Sequence, residues 1–188
     1  MSWMNSELIL YHGCDWDSAD AICRPSSTFP VHSINLMLCT PHTDFGKGFY
    51  ATTNLHQAKN WANDRTTLLR ITDPQKFAAV VEIAVEREHL AANASVLCFV
   101  TEGSAATSDF WEFIKHCRTG STTSGHELSA NKKDRMYDLV FGPVSLWTQT
   151  LVIKDCDQIS FHTQDALKAI KKATVKYQCT QTNPHFIV

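Results

Sequence analysis

The run "TDFGKGFYATTNLHQAKNWA", residues 43–62, concentrates the side chains best suited to holding a ligand. A charged, glycine-spaced turn leads into Phe49 and Tyr50, and then into a stretch carrying Trp61. Glycines let a backbone turn tightly and come close to a bound molecule. Tyr50 and Trp61 stand on either side of a strand-to-helix turn, which lets two ring faces look into one cleft. The plain alternative is that they pack a helix onto a strand, as most buried aromatics do. "GKG" at 46–48 lacks the spacing of a phosphate loop and, read alone, is a tight turn. No GxSxG elbow, GxxxxGK[ST] loop or GxGxxG after a strand occurs, so the usual hydrolase and kinase readings fall away.

Cysteine and histidine chemistry is diffuse. The seven cysteines form no CxxC pair and the nine histidines no HxxxH pair, so no metal site is expected. An odd cysteine count without tight spacing reads as reduced, mostly buried thiols in a cytosolic protein. A Cys–His nucleophile pair drawn from so many candidates has a high chance rate.

The elements that must position these residues follow from pattern. "ELILYHG", residues 7–13, is an apolar, strand-forming run ended by glycine. Residues 24–46, with three prolines, read as an irregular excursion. "GFYAT" returns to strand character, and Asn54 with Gln57 makes a capping-box-like start to a helix that places Leu55, Ala58 and Ala62 on one face. "AAVVEIAV" and "SVLCFV" read as strands. "SDFWEFIKHC" reads as a helix behind a Ser108 cap, with Phe110, Phe113, Ile114 and Cys117 as core. Residues 118–134 read as a polar, mobile loop. "MYDLVFGPV", "TLVI" and "QISFH" predict three more strands, and "TQDALKAIKKA" a helix with Ala166, Leu167 and Ile170 inward. Short strands with few interposed helices predict an α+β domain on antiparallel or mixed sheets, spanning 1–188 as one domain.

Composition narrows little further. With 44% hydrophobic and 19% charged residues the chain is globular, and a formal charge of -2 neither marks nor excludes a nucleic-acid partner. No segment reaches the ~18–20 apolar residues that span a bilayer, and the N-terminus has no secretory pattern, so a soluble, cytoplasmic protein with no membrane partner is expected.

Three pieces taken together form a pattern: "LYHG" at 10–13, "FGKGFYATTNLHQAKNWA" at 45–62 and "QISFH" at 158–162. Their order and context resemble the ADP-ribosyltransferase superfamily of the histidine-tyrosine-glutamate type, which holds diphtheria toxin and the poly(ADP-ribose) polymerases. Closer still is the resemblance to a bacterial family of this fold, often encoded as the toxin of toxin–antitoxin pairs. It extends along nearly the whole chain and includes "FWEFIKHCR", "YDLVFGPV" and "QISFHTQDALKAI".

The resemblance implies a split pair of small β-sheets with flanking helices and NAD, as co-substrate, in the cleft between the sheets. It gives His12 a hydrogen bond to the adenosine ribose and the main chain of Gly13 the nicotinamide carboxamide. Tyr50 would stack on the nicotinamide, Trp61 takes the place of a second stacking aromatic, and Phe49 joins them in the cofactor-binding set. A flat pyridinium cation suits aromatic faces, each worth ~0.5–2 kcal/mol. His12, Tyr50 and Gln158 would form the catalytic set. The superfamily type has a glutamate where this chain has Gln158. Cleavage of the nicotinamide–ribose bond passes through an oxocarbenium-like state that a carboxylate would stabilise. An amide does this less well, but can still hold the ribose 2′-hydroxyl. It cannot act as a general base, so a single transfer is expected rather than chain elongation. The implied acceptor is RNA, DNA or protein, and an antitoxin protein is an implied partner in toxin–antitoxin or phage defence.

Plain readings stand beside these. His12 fits a core histidine at a strand end, and Gln158 a polar residue opening a strand. Glu127 is an alternative source of a carboxylate. Lys47 and Arg118 fit either NAD phosphates or solvent, and Lys132, Lys133 and Arg135 either nucleic-acid phosphates or a solvated edge. Two other functions compete: a non-catalytic module binding NAD, ADP-ribose or a partner protein, and an NAD glycohydrolase.

Overall fold

The structure, a computed structural model, describes residues 5–102, 105–120, 125–126 and 135–188. The chain is a mixed α+β protein of two compact units, each assembled from segments distant in sequence. Among the described residues no helix is long and apolar enough to cross a membrane.

The first unit comprises residues through Ile34, Ala51–Ala91 and Lys168–Val188. Its sheet has the order β1-β3-β9, where β1 is Leu8–Asp15, β3 Ala78–Val85 and β9 Ile170–Gln178, both pairings antiparallel. The run "AAVVEIAV" is buried at seven of eight positions because β3 is central and covered on both faces. Helix α1 (Trp16–Cys23), which the sequence reading passes over, is capped by Asp15, whose carboxylate accepts from the Ser18 N–H. Helix α2 (Leu55–Arg70) starts where predicted, with the Asn54 side chain accepting from the His56 and Gln57 amides. Oε1 of Gln57 also accepts from the Thr52 hydroxyl at 3.0 Å. Ala58 and Ala62 turn inward and, with Ala78 and Val80, form one core cluster of this unit.

β9 corrects the predicted helix over "TQDALKAIKKA". Only Gln164–Leu167 is helical (α5), with Ala166 and Leu167 buried as expected; from Ile170 the chain is extended. Lysine and alanine favour helix, but β3 needs a partner on its second edge, and "ATVKY" supplies β-branched and aromatic residues for it.

The second unit comprises Asn35–Tyr50 and Ala92–Leu167. Its main sheet has the order β2-β8-β7-β4, with β2 at Phe49–Ala51, β4 at Val96–Cys98, β7 at Leu139–Leu146 and β8 at Leu151–Phe161. β7–β8 is antiparallel and β4–β7 parallel, so the sheet is mixed as predicted. The predicted "TLVI" and "QISFH" strands are one strand, because β7 pairs with both stretches through Val152 and Gln158. A ribbon of β5 (Thr101–Glu102) and β6 (Ala105–Ala106) is separate. Helix α3 (Arg87–Asn93), also missed from sequence, precedes β4.

Helix α4 (Ser108–Thr119) buries Phe110, Phe113, Ile114 and Cys117, the predicted stripe. Its cap is Thr107, not Ser108: the Thr107 hydroxyl accepts from the Phe110 N–H at 3.4 Å. The helix also runs through Arg118 and Thr119, which the sequence reading gave to the loop. Phe45 joins the stripe in one aromatic core with Val140.

Candidate functional site

In the first unit, β1 carries His12 and Gly13. As an edge strand it pairs with β3 on one side only. On the other, Tyr11 exchanges two backbone hydrogen bonds with Thr52, its N–H donating at 2.8 Å and its carbonyl accepting at 2.9 Å. Backbone groups in a strand alternate in direction, so those of His12 point to Val81 and those of Gly13 point outward again. The Trp16 N–H donating to the Phe77 carbonyl at 2.9 Å keeps the same frame. No described residue bonds to the outward N–H and C=O of Gly13. His12 is half-buried.

Gly13 has a packing reason as well. A Cβ there would lie 2.0 Å from the Ala58 carbonyl oxygen and 2.9 Å from the Ala62 nitrogen, both in the backbone of α2. Trp61, on the same helix, is 63% exposed, a large aromatic face left in water.

In the second unit the turn over 43–46 is built around Tyr50. Its hydroxyl donates to the Gly46 carbonyl at 2.8 Å, accepts from the Phe45 N–H at 2.9 Å and lies 2.8 Å from the Thr43 hydroxyl. Burial pushes the phenol well above its ordinary pKa. The ring stacks on Phe45 at 6.3 Å and meets His162 edge-on at 6.5 Å. Gly46 adopts φ +78°, which glycine takes without strain, so "GKG" is the tight turn its pattern indicated. Tyr50→Phe leaves the Phe45 N–H and the Gly46 carbonyl without this partner. We expect a loss of about 1–3 kcal/mol, read as a lower denaturant midpoint at unchanged m-value. Phe49, which the resemblance puts in the cofactor-binding set, is 5% exposed and packs 6.3 Å from Phe161, because the pleat turns it to the core.

The centre of this unit is a residue the sequence reading passed over. Asp44 is 4% exposed and accepts from four groups. Arg118 donates from Nε at 2.7 Å and from Nη2, Ser145 from its backbone N–H at 2.9 Å, and Gln158 from Nε2 at 2.6 Å. Arg118 therefore faces neither free phosphate nor water alone, as its sequence reading held, but a buried carboxylate, with Trp147 5.9 Å beneath its guanidinium. Gln158 is 9% exposed, and its Nε2 also donates to the Pro143 carbonyl at 2.9 Å. A carboxylate and a carbonyl can only accept, so the amide orientation is fixed by chemistry. Both amide hydrogens are used and Oε1 is left as an acceptor. The hydroxyl of Ser145, a residue 7% exposed, has no partner among the described residues.

Two neutral histidines buttress the turn. His126 accepts from the Tyr137 N–H at Nδ1 (2.9 Å), and its Nε2 donates to the Phe45 carbonyl (3.0 Å). His162 donates from Nδ1 to the Lys47 carbonyl (2.9 Å), and its Nε2 meets the Ser160 hydroxyl at 2.7 Å. Their rings stand 4.4 Å apart.

Within the second unit the fold thus brings Gln158 onto Asp44, and ties Tyr50 to the turn that carries Asp44. His12, Gly13 and Trp61 belong to the first unit. Glu127, Lys132 and Lys133 lie outside the described residues. The available signal for Asp44 was its place in the most unusual run, one residue before a wholly buried Phe45.

These features define a mixed α+β protein with two small sheets and a buried carboxylate–amide–guanidinium cluster. The chain belongs to the family described as "Protein of unknown function (DUF3990)", whose model matches residues 25–178 and so takes in Asp44, Tyr50, Trp61 and Gln158 but not β1. No curated protein and no solved structure matches it.

Proposed function

We propose that the protein is an NAD-dependent mono-ADP-ribosyltransferase with an RNA, DNA or protein acceptor, acting as the toxin of a toxin–antitoxin or phage-defence pair. The observation that carries the reading is the outward N–H and C=O of Gly13 beside His12. A primary carboxamide offers one donor and one acceptor at matching spacing, and a strand edge is a surface that pairs with such a group. In this reading Gly13 holds the nicotinamide carboxamide and His12 a ribose hydroxyl. Tyr50 and Trp61 offer ring faces to the pyridinium, and Oε1 of Gln158 accepts from the 2′-hydroxyl. The bond from ribose C1′ to the nicotinamide nitrogen breaks, and its electron pair leaves with nicotinamide. A lone pair of the acceptor then forms the new bond at C1′, and the acceptor's proton passes to solvent.

Aromatic attraction to the pyridinium weakens as nicotinamide becomes neutral, so the rings orient substrate more than they drive cleavage. His12→Ala should therefore raise KM, and Gln158→Ala should lower kcat by roughly 100-fold. The measurement is release of nicotinamide from NAD in the presence of cell lysate. A wild-type rate no faster than both variants would overturn the reading.

A further inference from the structure

We propose that Asp44 is the positioning residue for Gln158: its carboxylate holds the amide nitrogen so that Oε1 faces the ligand, and polarises the amide so that this oxygen is a stronger acceptor. The inference rests on the transferase reading and deepens it, since a glutamine at this place otherwise leaves a developing cation without a carboxylate.

Three observations converge. Gln158 spends Nε2 on Asp44 at 2.6 Å and on the Pro143 carbonyl at 2.9 Å, and no described residue bonds to its Oε1. Asp44 already has Arg118 and the Ser145 amide as partners, so a fourth donor is not needed to satisfy it. The Ser145 side-chain hydroxyl, on the residue whose amide also bonds Asp44, is buried without a partner among the described residues, and buried hydroxyls are rarely left so. A carboxylate bonded to an amide N–H draws the amide dipole toward it and makes the far oxygen a stronger acceptor. Arg118 limits the net charge of the cluster, which lets a carboxylate 4% exposed persist there.

The test is a swap. Asp44→Asn should lower kcat for nicotinamide release roughly 10- to 100-fold with a smaller change in KM, as for partners that orient an active group. The double variant Asp44→Asn/Gln158→Glu exchanges amide and carboxylate and should recover most of that loss. A glutamate at 158 could raise kcat by itself, so recovery in the double variant supports the proposal only with Gln158→Glu alone at or below wild-type kcat, and Gln158→Glu alone above wild-type kcat counts against it. Gln158→Glu alone sets two carboxyl groups against each other, so the pair should hold a proton and the variant should gain thermal stability relative to wild type from about pH 8 to about pH 5. The double variant should not show this gain. The other groups facing Asp44 are Arg118 and Cys117 from α4 and Tyr50 from β2. Burial pushes the Cys117 thiol up to about 12 and the Tyr50 phenol well above its ordinary value, so neither titrates in that window.

Asp44→Asn with wild-type kcat, or Gln158→Glu without the acid-linked gain, overturns the proposal. A wild type that releases no nicotinamide sinks the transferase reading and the catalytic half of the proposal with it. The unfolding arm needs no NAD and decides the Asp44–Gln158 contact in either case.

Discussion

Replacing Gly13 by alanine lowers the thermal unfolding midpoint by roughly 6–12 °C, the equivalent of about 3 kcal/mol in a chain of this size. The added methyl carbon would meet the Ala58 carbonyl oxygen at 2.0 Å and the Ala62 nitrogen at 2.9 Å. Both atoms belong to helix backbone, so no rotamer change relieves the clash and α2 must move off β1. That motion opens the interface in which Ala58 and Ala62 pack with Ala78 and Val80. Small residues on the facing side of α2 are the sequence counterpart of this close approach. A Gly13→Ala protein with the wild-type midpoint would show that helix and strand are not this close. The same position has its backbone aimed at the outer edge, so the variant also tests whether one residue serves packing and binding together.

Acid should unfold the protein well before carboxylates alone would account for it. Burial pushes His126 down to about 4, and burial together with the neighbouring His126 pushes His162 down to about 3, against an ordinary value of 6.5. The sign follows from linkage. Below about pH 6.5 the unfolded chain binds protons that the folded imidazoles refuse, so stability falls as pH is lowered and is restored above that value. The slope reaches at most about 1.4 kcal/mol per pH unit for each imidazole. Geometry gives the same direction. Protonating Nδ1 of His126 sets a donor against the Tyr137 N–H, and breaks the bridge that ties Tyr137 to the Phe45 carbonyl. Urea unfolding at a series of pH values between about 7 and 4 measures the slope. His162→Asn should flatten it, and a slope equal to that of wild type would contradict the account.

Much of the frame can be read in the chain. "AAVVEIAV" announces a strand buried on both faces, Asn54 announces the start of α2, and the Phe110–Phe113–Ile114–Cys117 stripe announces the inward face of α4. Errors fall where tertiary demand overrides local preference. "ALKAIKKA" is a good helix sequence, yet its second half becomes β9 because β3 requires a second partner. At the start of α4 two adjacent hydroxyls compete for one cap, and Thr107 takes it.

The candidate site divides similarly. Tyr50 and Gln158 stand out by their setting, but the bonds that define them do not. Asp44 meets Arg118, Ser145 and Gln158 across 74, 101 and 114 residues, and no local pattern carries such pairings. A sequence reading therefore finds an amide where a carboxylate was wanted, whereas the fold supplies a carboxylate one hydrogen bond behind it.

The central claim is that NAD is cleaved and its ADP-ribose joined to a macromolecule. The most direct measurement uses NAD labelled in the adenine, incubated with the protein and cell lysate, with samples then treated separately with protease and with nuclease. Wild type should leave label in macromolecular material that one of the two treatments releases, and Gln158→Ala should leave roughly 100-fold less. Absence of label from all macromolecules with wild type would contradict the account, and nicotinamide release without such label would make the protein an NAD glycohydrolase.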